Sequence, residues 1–229
     1  MANATLGARI KDLIGFDYAS NDITTEDEAL ENACAEVIDS LPTEVLLRNA
    51  EAPSDLHTGG DTVFLSSGKK VLRVIRYDGA IARSCSEIEF EDFLDWTNDT
   101  ESLYFPTKFS PVYAIDPTDG TLKLKVFPTL TGASAGVDGT ARVYAIPYPT
   151  GADLDTMADG KVSGVPKEAE HAIALKASMH ILDTMISDKI QDDEDQEMMQ
   201  MLQGQKQNLD QTYGIEMARL TKQGTASED

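Results

Sequence analysis

Basic residues are scarce in this chain of 229 amino acids. Forty aspartates and glutamates face nineteen lysines and arginines, which leaves a net charge of −21 at neutral pH. A protein that grips DNA or an anionic membrane neutralises phosphates with Lys and Arg, so this charge argues against both activities. It is compatible with a pore through which DNA slides without sticking, because an acidic wall repels phosphates. Solubility alone explains the same charge.

Long apolar runs and cysteines are also scarce. No apolar run approaches the ~18 residues that a membrane-spanning helix needs, so we expect no membrane partner. The N-terminus lacks the basic start and apolar block of a signal peptide. The two cysteines, Cys34 and Cys85, are too few for a zinc site or a disulfide framework. We expect two small buried thiols, since free cysteine is among the most buried residue types.

Signatures of catalysis and metal binding are weak. Of the three histidines, His57 lies in a glycine-rich loop, and His171 and His180 stand nine residues apart on one helical pattern, so they cannot chelate one ion together. Residues 132–136 have the glycine–serine spacing of a nucleophile elbow, but no helical pattern follows them. The acidic run at 192–195 lacks the alternation and the glycine of a calcium loop. We therefore predict no catalytic residue, no metal and no cofactor.

One enzymatic alternative stays open. A carboxylate pair can form only in the fold, so a small acidic hydrolase could combine Asp116 or Asp119 with Glu89 or Glu91.

Helical periodicity marks both ends of the chain. Residues 4–18 predict a short amphipathic helix, and Thr25 with Glu28 predicts a capping box that opens a second helix, which Pro42 ends. The apolar face of that second helix consists of Ala29, Leu30, Ala33, Cys34, Val37, Ile38 and Leu41. From Pro166 onward two apolar stripes share one helix, and a face so wide must be covered on two sides.

The middle of the chain follows a β period. The segments 63–66, 71–77, 81–86, 109–115, 121–127 and 140–146 read as strands. Asp78-Gly79 and Asp119-Gly120 predict hairpin turns. The segment 87–96 predicts a short helix or a packed loop. Residues 128–139, rich in Gly, Ser and Thr, predict a loop.

The predicted fold is α+β: a helical bundle formed by the N- and C-terminal helices with an inserted antiparallel β-domain. We predict N-terminal bundle helices over 1–52, the β-domain over 53–150, C-terminal bundle helices over 151–222 and a flexible tail over 223–229. The residues expected to pack the bundle or neighbouring subunits are Leu175, Met179, Leu182, Ile186, Leu202 and Leu209.

Two parts of the sequence carry a family resemblance. A last strand at 142–149 leads through Asp153-Leu154 to a proline and an acidic, Ile/Leu-rich helix at 165–175, and a hairpin with Pro-x-Tyr and Phe-Pro motifs covers 109–115 and 122–128. In the order of its parts the chain resembles the head-to-tail adaptor (connector) proteins of tailed phages, including the tail tubular protein A of short-tailed phages. The likeness spans most of the chain in layout.

The resemblance implies a function without catalysis. Members of that family form a twelve-fold ring, join the portal protein to the tail nozzle or tail tube proteins, and let genomic DNA pass through the lumen without specific binding. It implies localisation in the neck of the virion after assembly in the host cytoplasm. The portal-docking segment would be the polar tail, which consists of Thr221, Lys222, Gln223, Gly224, Thr225, Ala226, Ser227, Glu228 and Asp229. A different neck component, such as a head-closure or fibre-docking protein, fits the same layout.

Overall fold

The protein is represented by a computed structural model that describes residues 6–15, 23–48, 50, 53–56, 63–65, 68–117, 122–132, 138–149, 165–192 and 196–225. Within these residues the fold is α+β, with six α-helices and two four-stranded sheets. The chain divides into two compact units. Met1–Asn49 and Tyr148–Asp229 form one, and Ala50–Pro147 forms the other.

The helices are α1 (Leu6–Ile14), α2 (Ile23–Ser40), α3 (Thr43–Leu47), α4 (Phe90–Asn98), α5 (Glu170–Asp192) and α6 (Gln196–Thr225), and a 3-10 turn (Lys167–Ala169) precedes α5. All except α4 belong to the first unit, called here the helical unit. The second helix begins at Ile23, so Thr25 lies in its first turn rather than at the predicted N-cap. The first helix is shorter than the predicted 4–18, because Gly15, with a φ of +72°, ends it after Ile14.

Helix α5 is the centre of the helical unit. It packs against α1, α2 and α6, and fully buries Ile173, Leu175 and Leu182. All seven apolar residues predicted for the face of α2 are buried. The two stripes of α5 are thus covered on two sides, by helices from both halves of the sequence.

The strands are β1 (Ser54–Leu56), β2 (Val63–Leu65), β3 (Lys69–Asp78), β4 (Ile81–Ser84), β5 (Ser86–Glu87), β6 (Val112–Asp116), β7 (Leu122–Phe127) and β8 (Ala141–Pro147). One sheet has the order β1-β8-β3-β4 and the other β2-β7-β6-β5. Together with α4 they make up the second unit, called here the β unit.

The β unit has three layers. Val74 and Val143 of the first sheet share a core cluster with Tyr113 and Leu124 of the second. On its other face the second sheet packs Val112 and Ala114 against Phe93 of α4. Strand β6 is therefore covered on both faces, and it carries apolar residues at consecutive positions.

Two hairpins predicted from the sequence are confirmed. Strands β3 and β4 pair antiparallel with Asp78 opposite Ile81, and β6 pairs antiparallel with β7. Gly79 forms the first turn at a φ of +62°.

Strand pairing in the β unit departs from chain order at one place and from the antiparallel prediction at another. Strands β2 and β3 follow each other along the chain but lie in different sheets, because β2 pairs with β7. The β-region is also not wholly antiparallel, since Ser86–Glu87 pairs parallel with Val112–Tyr113. Both outcomes depend on strand partners distant in sequence, which local turn chemistry does not specify.

Candidate functional site

The predicted packing residues lie mainly inside the chain's own helical unit. Leu175, Met179, Leu182, Leu202 and Leu209 are buried, and Ile186 is half-buried. Helices α5 and α6 contact each other directly. The apolar face that these residues form is thus covered by helix packing within one chain. A contact with a second copy would therefore use another surface.

A polar network links α2 to α5. Lys176 Nζ lies 2.8 Å from Glu36 Oε2, and His180 Nε2 lies 3.1 Å from Oε1 without the alignment of a hydrogen bond. Desolvation opposes ionisation of Glu36, but the hydrogen bond and charge of Lys176, with the charge of His180, outweigh it and lower its pKa. Lys206 pairs with Asp183 nearby.

These polar residues line an open groove of about 470 Å³, formed by Lys176, Met179, His180, Asp183, Gln203, Lys206, Gln207 and Asp210. Within it Lys206 pairs with Asp183, and Lys176 pairs with Glu36 of α2. These ion pairs join α5 to α6 and to α2.

The two histidines in the described part of the chain, His171 and His180, do not form a common site. His171 is exposed on α5, His180 belongs to the Glu36 network, and His57 lies outside the described residues. In the part of the chain that the structure describes, no three His, Cys, Asp or Glu residues are placed to hold a metal ion. Ser134 of the glycine–serine segment is outside the described residues.

Three of the four carboxylates of the hydrolase alternative, Asp116, Glu89 and Glu91, lie in the described part of the chain. Asp116 is buried, with its Oδ2 2.6 Å from Lys125 Nζ, and Asp119 lies outside the described residues. Glu89 and Glu91 are exposed and line a groove whose described walls do not include Asp116. Asp116 therefore serves as an ion-pair partner of Lys125 within the sheet.

That groove is an open surface feature of the β unit. It has a volume of about 570 Å³ and is lined by Glu87, Ile88, Glu89, Phe90, Glu91, Ile115 and Pro117. We call it the acidic groove. Glu87 accepts a hydrogen bond of 2.9 Å from the Tyr113 hydroxyl, and burial together with Glu87 raises the pKa of Tyr113. Lys125 Nζ lies 5.0 Å from the centre of the Phe90 ring. The groove thus combines an apolar floor with carboxylates at its rim.

Large apolar side chains also face solvent on the β unit. Phe109 is 67% exposed and Ile81 is 54% exposed, and Leu94, Leu103 and Tyr104 are exposed as well. Single exposed apolar residues are normal on protein surfaces, but grouped ones indicate interaction sites.

Phe109 and Ile81 lie next to basic groups. The Arg83 guanidinium lies 5.0 Å from the centre of the Phe109 ring, and Lys108 Nζ lies 5.3 Å from it. Lys108 also lies 3.5 Å from Asp78, the residue paired with Ile81 across the β3–β4 hairpin. We call Ile81, Arg83, Lys108 and Phe109 the basic-aromatic surface.

Arg83 has no carboxylate partner in this surface. It stands opposite Arg76 in the β3–β4 register, and Arg76 Nε donates to the Pro128 carbonyl at 3.1 Å. Arg83 Nε is buried and has no hydrogen-bond partner among the described residues. In a chain with twice as many acids as bases, this leaves a positive charge directed at an exposed aromatic ring.

No local pattern in the sequence predicts this surface. The β period of 109–115 predicts a strand that starts at Phe109, whereas β6 begins at Val112. Pro111 was the available signal, because proline cannot donate to a strand ladder and so favours a strand start after it. No local sequence pattern predicts that Arg83 lies opposite Arg76 in the β3–β4 register.

The predicted docking tail is partly helical. Thr221 and Lys222 belong to α6, and the backbone of Gln223, Gly224 and Thr225 continues that helix. Ala226, Ser227, Glu228 and Asp229 lie outside the described residues. The predicted flexible segment thus begins with helical backbone.

None of the described helices combines the length and apolar character that crossing a membrane requires. No protein-family profile matches the chain, and the comparison with curated proteins finds no match either.

Proposed function

We propose that the chain is a structural, non-enzymatic subunit of a tailed-phage neck. In this proposal it acts as a head-to-tail adaptor, and copies of it form a ring that joins the portal to the tail around the DNA channel. The helical unit corresponds to a bundle built from both ends of the chain, and the β unit to the domain inserted in it. The layout resemblance motivates this assignment.

One observation carries the assembly part of the proposal. The apolar stripes of α5 are covered within the chain, while Phe109, Ile81 and Leu103 of the β unit stay exposed. Exposed apolar residues beside unpaired charge are typical of surfaces that bind another protein. A subunit that meets its neighbours through the β unit uses these residues.

The charge supports the conduit part of the proposal. A wall with a net charge of −21 per subunit repels phosphates, and an unbound genome then moves past it with little friction. The portal-docking role falls to residues 221–229, of which 221–225 continue the backbone of α6.

Electron microscopy of this protein mixed with the portal protein tests the assignment. We expect one ring of copies attached to one face of the portal ring, and loss of that attachment when residues 221–229 are removed. A chain that never attaches to portal rings, alone or in particles, contradicts the adaptor function. Attachment through another neck protein, detected by cross-linking, would instead favour a head-closure or fibre-docking role.

A further inference from the structure

Two surfaces of the β unit carry side chains of opposite charge beside apolar groups. The basic-aromatic surface presents Phe109, which is 67% exposed, with Arg83 and Lys108 beside it. The acidic groove presents an open apolar floor with Glu89 and Glu91 exposed at its rim. Opposite potentials that face each other set the register of a protein–protein contact and exclude wrong partners.

No residue of the basic-aromatic surface lines the acidic groove of the same chain. Phe109 precedes β6 by three residues, and the groove extends from Glu87, which pairs with Tyr113, to Ile115 and Pro117 at the far end of β6. Both surfaces belong to the same compact unit, so their separation does not depend on how the two units are arranged.

We propose that Phe109 of one copy docks into the acidic groove of the next copy, with Arg83 and Lys108 facing Glu89 and Glu91. The occupant of the groove is therefore a second copy of this chain. The contact joins two different surfaces, so it is heterologous and can repeat around an axis until a ring closes. This inference rests on the proposed assembly of copies and names the surfaces that make it.

Charge favours a second copy over nucleic acid as the occupant. Phosphates would be repelled by the carboxylates of the groove and by the acidic remainder of the chain. The exposed ring of Phe109 beside a guanidinium fits an apolar floor rimmed by carboxylates, because burial of the ring and pairing of the charge then occur together.

A charge exchange between copies tests the proposal. Arg83→Glu and Glu89→Lys each place like charges across the contact, and each should weaken self-association of the full chain about tenfold in sedimentation velocity. An equimolar mixture of the two variants restores opposite charges at every contact between alternating copies. We expect the mixture to regain wild-type self-association. A mixture that associates no better than either variant overturns the proposal.

Cross-linking provides an independent readout that also detects weak contacts. Lys108→Cys chains are mixed with Glu91→Cys chains and treated with a short bis-maleimide, so every 108–91 link joins two copies. The native Cys34 and Cys85 are buried, so we expect neither to react with the maleimide. Ile215→Cys replaces Glu91→Cys in the control, since Ile215 is exposed on α6. Links at 108–91 that do not exceed the control, in the free chain and on portal rings, refute the contact.

The outcomes separate this inference from the proposed function. Rings on the portal without 108–91 links would refute the contact and leave the adaptor function standing. Links between free copies that never attach to a portal would support the contact and contradict the adaptor function.

Discussion

Cys34 and Cys85 are buried, and burial determines how reactive their thiols are. Cys34 is 0% exposed and Cys85 is 7% exposed. Burial is the largest cause that raises the pKa of each thiol to about 12, with Glu31 adding to it at Cys34 and Arg76 opposing it at Cys85. The thiolate is the reactive form, so both side chains act as small apolar core residues.

We predict that neither thiol reacts while the protein is folded. At pH 8 a pKa of about 12 leaves a thiolate fraction on the order of 10⁻⁴, and burial blocks the reagent as well. In a colorimetric thiol assay the native protein should give no rapid reaction, and the same sample in denaturant should release two equivalents per chain. Rapid labelling of either cysteine in native buffer would show that its surroundings are open to solvent.

At the residue scale, burial in the helices could be predicted and the β-unit surface could not. The face of α2 follows from the spacing of its apolar residues, because 3.6 residues per turn place them on one side. The exposure of Phe109 and the pairing of Arg83 with Arg76 depend on strand partners that no local pattern specifies.

Two glycines of this chain differ in whether a side chain could be accommodated at their position. Gly139 has a φ of +71°, and an added Cβ would come within 2.3 Å of Thr131 Oγ1 and 2.9 Å of the Gly132 nitrogen. Its nitrogen also donates to the Tyr77 carbonyl at 2.9 Å, so it closes the base of a loop beside the β3–β4 hairpin. Gly214 lies within α6, and a Cβ there would meet nothing within 4 Å.

The same substitution should therefore have opposite effects at these two sites. Gly139→Ala should lower the free energy of unfolding by about 1–2 kcal/mol, through the left-handed φ and the contact with Thr131. Gly214→Ala should raise it by about 1 kcal/mol, because alanine favours a helix interior. Urea titrations followed by circular dichroism measure both changes. A stabilising alanine at 139 or a destabilising one at 214 would contradict the local geometry described here.

The Glu36 network joins two helices by charge as well as by packing. Its carboxylate has a lowered pKa in the folded chain, so it binds its proton more weakly when folded than when unfolded. The sign of the linkage follows. The stabilisation is present above the ordinary pKa of 4.5 and is lost as pH falls through the lower folded value.

We predict that Glu36→Gln costs about 0.5 kcal/mol at pH 7, a small value because Glu36 is half-exposed and solvent screens its ion pairs. The difference from wild type should begin to shrink below pH 4.5 and vanish once the pH is below the lowered pKa of the folded carboxylate. Glu28→Gln on the same helix is the matched control, since no ion pair is formed there in the described part of the chain. A difference that persists unchanged into acid would exclude an electrostatic origin.

At the element scale, local signals predicted some connections and missed others. The Asp78-Gly79 turn and the β6–β7 hairpin join neighbouring segments, so their turn residues and alternation were sufficient. The separation of β2 from β3 and the parallel β5–β6 pair arise from distant partners. The acidic groove could not be predicted for the same reason, because it combines α4 with the far end of β6.

At the scale of the whole molecule, the features that matter are a covered helical core, exposed apolar residues on the β unit and a large negative charge. A helical core that is covered within one chain leaves assembly to other surfaces. The basic-aromatic surface and the acidic groove lie on one compact unit, so the proposed contact can repeat around an axis. In the proposed ring, the negative charge opposes binding of DNA to the channel wall.

The stoichiometry of this chain in purified phage particles tests the central claim most directly. Quantitative mass spectrometry with isotope-labelled peptides measures copies of this chain against copies of the portal protein in the same particles. An adaptor ring that matches the portal predicts a fixed number of copies close to that of the portal, retained after genome release. Absence of the chain from intact particles, or a copy number that varies with purification, would contradict a structural role in the neck.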